Sequence, residues 1–453
     1  MTMVQAAPPA PVEVRRSVPG RIRVITGVSV LALALLFSAL AVGSSNAREG
    51  LRVIGRDSGP QVVATAGLYL GLSDMDTQVA DALLMGRDYG KQRADAVARY
   101  EQRRSEANQA LLKAFQLSGD NPAGRRTVQS VLDSLGRYER LAGQALLLDQ
   151  QANHPAGAPP AKVVQVYRQA TDLMKMVLLP QAYNLTLESG TIVRRTYDDK
   201  SATIPLVRFA VVVAGLLALG CLVWLQLYLS RRFRRVFGLA LLAATVVTLV
   251  ALVAGVSVLG KEEQDLRTAK VDGFDSVLTL AKARAISNSL HGDQSRYLLD
   301  NRRADTYEHT FLDKSQTVVY LPATNLDTYQ AKVAAGSKDY QGLLGAQLGE
   351  PGGRNVLDTY GRFEESDRAF RQLALAGQAG QAVSERLTQV DAGFQAFDDA
   401  MLSLAAQHQK VFEEASASGE NALDTLWRLL PFAIGAIGLL VAAGVWPRLK
   451  EYR

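Results

Sequence analysis

Residues 206–260 read LVRFAVVVAGLLALGCLVWLQLYLSRRFRRVFGLALLAATVVTLVALVAGVSVLG. Two long apolar runs, Leu206–Leu229 and Val236–Gly260, flank the short basic turn Ser230–Arg235. Arg208, near the start of the first run, is the only charge in either. A helix needs about 20 apolar residues to cross roughly 30 Å of hydrocarbon. The stretch therefore reads as a transmembrane hairpin. Two further uncharged runs, Val24–Val42 and Leu429–Trp446, have the same character. The expectation is an all-α chain with four transmembrane helices.

The charge balance supports this. The 453 residues carry a formal charge of +6, which by itself would invite a nucleic-acid reading. The positive charge is concentrated beside the apolar runs, however. Arg15, Arg16, Arg21 and Arg23 precede the first run, and Arg231, Arg232, Arg234 and Arg235 form the central turn. Arg448, Lys450 and Arg453 follow the last run. Outside these patches the chain is net acidic, so no nucleic-acid partner is expected. Positive charge marks cytoplasmic flanks. All three patches share one side if the chain crosses four times. The expectation is a multi-pass cell-membrane protein with both termini cytoplasmic. Arg208 would then snorkel from the outer end of its span. The first run, followed by Ser45-Asn46-Ala47, also has some features of a cleaved signal peptide. Its length favours a retained anchor.

The layout follows as a cytoplasmic tail (1–23), a span (24–42), an extracytoplasmic segment (43–205) and a second span (206–229). The basic turn (230–235), a third span (236–260), a second extracytoplasmic segment (261–428), a fourth span (429–446) and a tail (447–453) complete it. The order repeats one plan twice, so a duplicated layout is expected, without a residue-by-residue repeat.

Both outer segments carry helical periodicity. In the first, Leu68, Leu72, Met75, Val79 and Ala82 form one stripe, and Val97, Tyr100, Arg104, Ala107, Leu111 and Ala114 a second. Val131, Leu135, Tyr138, Ala142 and Ala145 make a third, and Val163, Val166, Ala170, Leu173 and Val177 a fourth. Loop signals at Met85–Gly90, Ser118–Gly124 and Gln151–Pro160 separate them, predicting a four-helix bundle. The second segment has a seam through Leu387, Val390, Phe394, Phe397, Met401, Leu404, His408 and Val411. A stripe opens it at Phe274, Leu278, Ala281, Ala285 and Asn288, and another runs through Val356, Tyr360, Phe363 and Phe370. Thr306–Tyr340 is less regular, with turns at Gly336-Ser337 and Gly349–Gly353. Such seams build helical bundles. The helices next to spans can run on into them, with Pro205 and Pro431 at the joins. The central turn holds two spans together, so the two bundles are expected to pack on each other.

Chemistry-bearing motifs are sparse. The chain contains no GxxxxGK[ST], GxGxxG, HExxH, CxxC or GxSxG. His154, His291, His309 and His408 do not share ligand spacing. No enzyme activity, metal or cofactor is expected. Cys221, the one cysteine, lies within a span and reads as a packing residue. Arg104 interrupts an apolar stripe. It is either a long side chain reaching solvent or an anchor for an acidic ligand. His408 on the seam is either a half-buried histidine or a register- or pH-setting residue. Asp74, Asp76 and Asp81 lie along one helix, and Arg296 and Asp300 read as a surface i,i+4 pair. Arg231, Arg232, Arg234 and Arg235 read as a topology determinant beside anionic lipid, or as a docking patch for an acidic protein. Gly435 and Gly438, with Ala442 and Ala443, would let the last span approach a neighbour closely.

Helical bundles joined to spans suit a sensor, and resemble chemoreceptor-type four-helix-bundle sensor domains. Short cytoplasmic segments imply that another protein carries the output. Local phrases carry a closer resemblance. They are Leu70-Gly71-Leu72-Ser73-Asp74-Met75-Asp76 with Ala80-Asp81-Ala82-Leu83-Leu84-Met85-Gly86, Leu173-Met174 with Leu178-Leu179-Pro180, and Ser295-Arg296-Tyr297-Leu298-Leu299-Asp300. With the four-span layout, they resemble the actinobacterial GlnX-type membrane proteins. That resemblance implies a relay. An extracytoplasmic amino-acid-binding protein (GlnH-type) would dock outside, and a cytoplasmic Ser/Thr kinase (PknG-type) would receive the signal. Two alternatives stand beside it: a receptor binding a small ligand directly within a bundle, and an envelope scaffold. Direct binding predicts a pocket with convergent polar groups, with Arg104 a candidate. A relay predicts tightly packed bundles and an exposed docking face. An oligomer fits any of the three.

Overall fold

A computed structural model describes residues 18–117, 122–233, 238–336, 340–349 and 351–450. The described residues are helical apart from short connections and one isolated bridge, Tyr320 to Gln341. The helices are α1 (Val18–Arg52), α2 (Ser58–Met85), α3 (Gly90–Leu117), α4 (Pro122–Ala152), α5 (Ala161–Leu173), α6 (Leu179–Phe233) and α7 (Leu239–Arg267). They continue with α8 (Ser276–Leu299), α9 (Ala304–Val318), α10 (Leu326–Ala334), α11 (Gly353–Leu375), α12 (Ala379–Glu385) and α13 (Asp391–Lys450). Short π-helical turns at Val53–Asp57, Met174–Leu178, Thr268–Asp275 and Arg386–Val390 link successive α-helices without a loop.

The chain divides into two compact units. One contains Met1–Gly50, Asp199–Asp265 and Ala417–Arg453; the other contains Leu51–Asp198 and Leu266–Ser416. The chain passes between them four times, in helix each time. Pro205 and Pro431 fall inside α6 and α13, which carry on through them.

The first unit holds the four apolar runs. Four of the described helices are long and apolar enough to cross a membrane. Their mutual contacts bury Leu36, Leu40, Leu222, Leu252, Ile437 and Val441. Leu31, Phe209, Leu216, Val250, Phe432 and Leu439 point outward. Such an apolar exterior suits a multi-pass membrane protein, because lipid is the solvent in which it is stable. Gln226 donates to the Leu241 carbonyl at 2.7 Å and to Thr245 at 2.6 Å, joining α6 to α7. The close approach expected of Gly435 and Gly438 is absent, since an added Cβ at either meets nothing within 4 Å. Gly444 makes that approach instead, since an added Cβ there would lie 2.6 Å from the Leu241 side chain.

The second unit contains two apolar cores. Leu72, Met75, Val79, Tyr138, Ala142 and Tyr167 centre the first; Phe311, Tyr329, Tyr360, Phe363, Phe397 and Met401 centre the second. The first core is bounded by α2–α5 and the start of α6, with turns at 86–89 and 153–160 where glycine and proline predicted them. Of the loop expected at Ser118–Gly124, residues 118–121 lie outside the described residues and 122–124 are already helical. Gly86 closes the α2 turn at φ +54°, and a Cβ there would lie 2.6 Å from the His154 carbonyl. Arg87 N–H donates to that carbonyl at 2.9 Å. In the irregular part of the second segment, Asn325 caps α10 by accepting from Thr328 N–H at 2.9 Å.

The two cores meet through α2 and α8. Residues 71–86 of α2 and its end, and 287–297 of α8, are buried on every face. An apolar stripe predicts one buried face and one wet face. Here the polar face of each helix is covered by the other, so the bundles do pack together. Gly292 sits at the crossing, and a Cβ there would lie 2.5 Å from Thr77 Oγ1.

Candidate functional site

Two polar helix faces buried against each other must satisfy every donor and charge. In α2 and α8 an ionic lattice satisfies the charged groups, while the buried hydroxyls of Ser73 and Ser287 have no hydrogen-bond partner among the described residues. Asp76 on α2 and Arg296 on α8 are each about 1% exposed. Arg296 Nη2 donates to Asp76 Oδ2 at 2.6 Å, and Thr171 on α5 donates to the same oxygen at 2.6 Å. Tyr138 on α4 donates to Asp76 Oδ1 at 3.1 Å. Arg296 Nε donates to the Tyr167 hydroxyl at 3.1 Å, and Nη1 to Asp293 at 2.7 Å. Asp293 also receives Lys175 and Lys314. Burial alone would raise the Asp293 carboxyl. Lys175, Lys314 and Arg296 outweigh it and hold this group well below the usual carboxylate range. Burial lowers Lys175 and pushes Lys314 down to about 7, against the pull of Asp293.

A second knot lies one helical turn further along. Asp81 accepts from Ser295 and from Arg386, whose Nη2 also donates to the His291 carbonyl at 3.0 Å. The His291 ring stacks on Phe394 at 4.1 Å and contacts Gln294 and Asp391. Gln294 donates to Asp367 at 2.7 Å, and Asp367 also receives Gln330 and Arg371 at 2.8 Å each. Beside it, burial and then the Asp367 charge raise Glu364 to about 7. Tyr360, Gln330 and Ser315 donate to its oxygens.

Beside the first knot a cleft of about 600 Å³ opens between α2, α6, α8 and α9. Lys175, Lys282 and Lys314 line it, with Ser289 and Thr310. Its walls are apolar or aromatic, from Leu179, Ile286, Leu343, Tyr69 and Tyr183. No acidic side chain is among its described lining residues.

Residues 50–198 match the family model of the actinobacterial sensor domain. No curated protein and no solved structure matches the chain. The sensor segment spans α2–α5 and the start of α6, almost the same residues as the first part of the second unit. It supplies Asp76, Asp81, Tyr138, Tyr167 and Lys175. The partners Asp293, Arg296, Lys314 and Arg386 lie outside it. A sensing role follows for the chain, and its sensor segment is locked to the second core by buried charge.

The residues singled out by sequence lie elsewhere. Arg104 is half-exposed and pairs with Glu101 at 2.8 Å; it lines a shallow surface depression with Asn108 and Glu139, not the cleft. His408 is 8% exposed and donates from Nδ1 to the Asp272 carbonyl at 2.8 Å. Arg231 is exposed. The Arg232 side chain, with Arg234, Arg235 and the tail before residue 18, lies outside the described residues. The surface pair Arg296–Asp300 is not formed. Arg296 turns inward to Asp76 and Asp293, while Asp300 takes a bidentate contact from Arg168 at 2.8 and 2.9 Å. Helical spacing was right, but the face it placed in water is an interior. One signal marked it. The stretches 71–86 and 287–297 carry several short polar side chains (Asp, Ser, Thr, Asn) yet contain no Lys or Glu, the long side chains that usually solvate a helix face.

Proposed function

We propose that the chain is a non-catalytic membrane signal relay. One observation carries this reading. A segment matching an actinobacterial sensor domain is continued at both ends by helices apolar and long enough to span a membrane. In this reading the bundle unit lies outside the cell, and the basic turn and both tails lie inside, as the placement of arginines favours. An extracytoplasmic amino-acid-binding protein docks on the bundle unit, and a cytoplasmic Ser/Thr kinase receives the signal. The partners rest on the resemblance of the α2, α5–α6 and α8 phrases to GlnX-type proteins. The α2–α8 lattice supports a relay in physical terms. A docking event on either bundle core is felt by the other, because a buried ion pair has few alternative arrangements of similar energy.

The test is crosslinking in the native host, purification of the tagged full-length protein, and identification of what co-purifies. Recovery of a solute-binding protein together with a Ser/Thr kinase is the expected result. Recovery of neither, with the protein intact, overturns the relay. A second reading, direct binding of a small ligand by the bundle unit, is favoured by one feature: the lysine-lined cleft.

A further inference from the structure

The lattice and the cleft share residues, and their charges do not balance. Asp76 and Asp293 face three cations, Arg296, Lys175 and Lys314. With all five groups ionised, one positive charge is in excess before Lys282 is counted. Lys282 stands at the cleft with its ammonium 5.5 Å over the Tyr183 ring. An uncompensated charge in a partly dry site is costly, and an entering anion removes that cost. Burial is the first cause that lowers all three lysines, and neighbouring cations lower each of them further.

The cleft also defines what else the anion carries. Its volume lies within the range of small-molecule sites. Leu179, Ile286 and Leu343 offer only apolar contact, and Tyr69 and Tyr183 present their rings, so the body of the ligand is apolar. No described carboxylate lines the cleft to receive an ammonium group. A free amino acid would bring its amino group into a site already rich in positive charge.

We propose that this cleft binds a small organic carboxylate with an apolar body and no ammonium group, its carboxylate facing Lys175, Lys282 and Lys314. The proposal rests on the direct-binding reading and is independent of the docking partner. Binding here would bridge α6, α8 and α9, and so act on the same junction that the Asp76–Arg296 pair holds.

The test uses the full-length protein in nanodiscs and calorimetric titration with 4-methyl-2-oxopentanoate, L-leucine and inorganic phosphate. The first two share a carbon skeleton and differ in the ammonium group. Saturable binding of the oxo acid is expected, with L-leucine and phosphate at least about tenfold weaker. Lys282→Gln, at a half-buried position outside the lattice, is expected to weaken binding at least tenfold without moving the melting temperature. Leu343→Trp, which fills the cleft, is expected to abolish it. Three results overturn the proposal: no saturable binding by folded protein, L-leucine binding as tightly as its oxo analogue, or binding unchanged in both variants. Each would leave the crosslinking result, and so the relay, standing.

Discussion

Arg296 and Asp76 lie 220 positions apart in the chain and meet at 2.6 Å, both almost completely buried. Each sits on a helix that also packs into its own apolar core, so this contact sets how the two cores are joined. Removing one partner of such a pair strands the other charge away from water. That costs about 3–5 kcal/mol, more than the pair itself contributes.

Arg296→Met and Asp76→Asn are therefore each expected to lower the melting temperature of the purified protein sharply. The double variant should lose less than the two single losses combined, because no unpaired charge remains at that contact. Differential scanning calorimetry of the four proteins checks this. Strictly additive losses would mean that the two residues do not act through each other.

Gly292 makes a separate prediction about the same crossing. A Cβ there would lie 2.5 Å from Thr77 Oγ1 and 2.8 Å from Arg296 Nη2. Gly292→Ala should cost about 1–3 kcal/mol through overpacking. Adding Thr77→Ala should recover part of that loss, although Thr77→Ala alone destabilises. If the second change rescues nothing, the tight approach of α2 to α8 is not the source of the loss.

Stability should respond to pH through Glu364. Burial and Asp367 raise its carboxyl from 4.5 to about 7. The folded protein then holds a proton that the unfolded chain has released. The contribution is fully present below pH 4.5 and is lost as pH rises through about 7. Within that window the slope is roughly −1.4 kcal/mol per pH unit. Glu364→Gln should flatten the profile there and leave the variant relatively more stable at pH 8. Urea midpoints at half-unit steps measure it; parallel profiles for the two proteins would refute the assignment.

The orientation is testable by cysteine labelling. In a Cys221→Ser background, Asn108→Cys on the exposed face of α3 should react with a membrane-impermeant maleimide in intact cells. Ser230→Cys at the basic turn should react only after permeabilisation. The reverse pattern would invert the relay.

Much of the architecture was legible before any tertiary structure. Apolar runs too long for a soluble core determined four membrane-type helices, since hydrocarbon accepts only backbone that satisfies itself. Stripes at helical spacing determined the bundle helices, and Gly86 and Pro159-Pro160 marked two of the breaks between helices of the first bundle. The family match at residues 50–198 agrees with a sensor read from layout alone.

The site was not legible in this way. Periodicity says which face of a helix is apolar, but not whether its polar face meets water or another polar face. Asp76, Asp81 and Arg296 therefore looked like ordinary surface charges. Only packing α2 against α8 placed them in the interior, where carboxylate, guanidinium and ammonium had to find one another. The same packing left Lys175, Lys282 and Lys314 together at the edge of a cleft. Local helix formation is written in short-range spacing. The pairing of charges more than 200 residues apart depends on which two polar faces the fold brings into contact, and only the tertiary structure decided that.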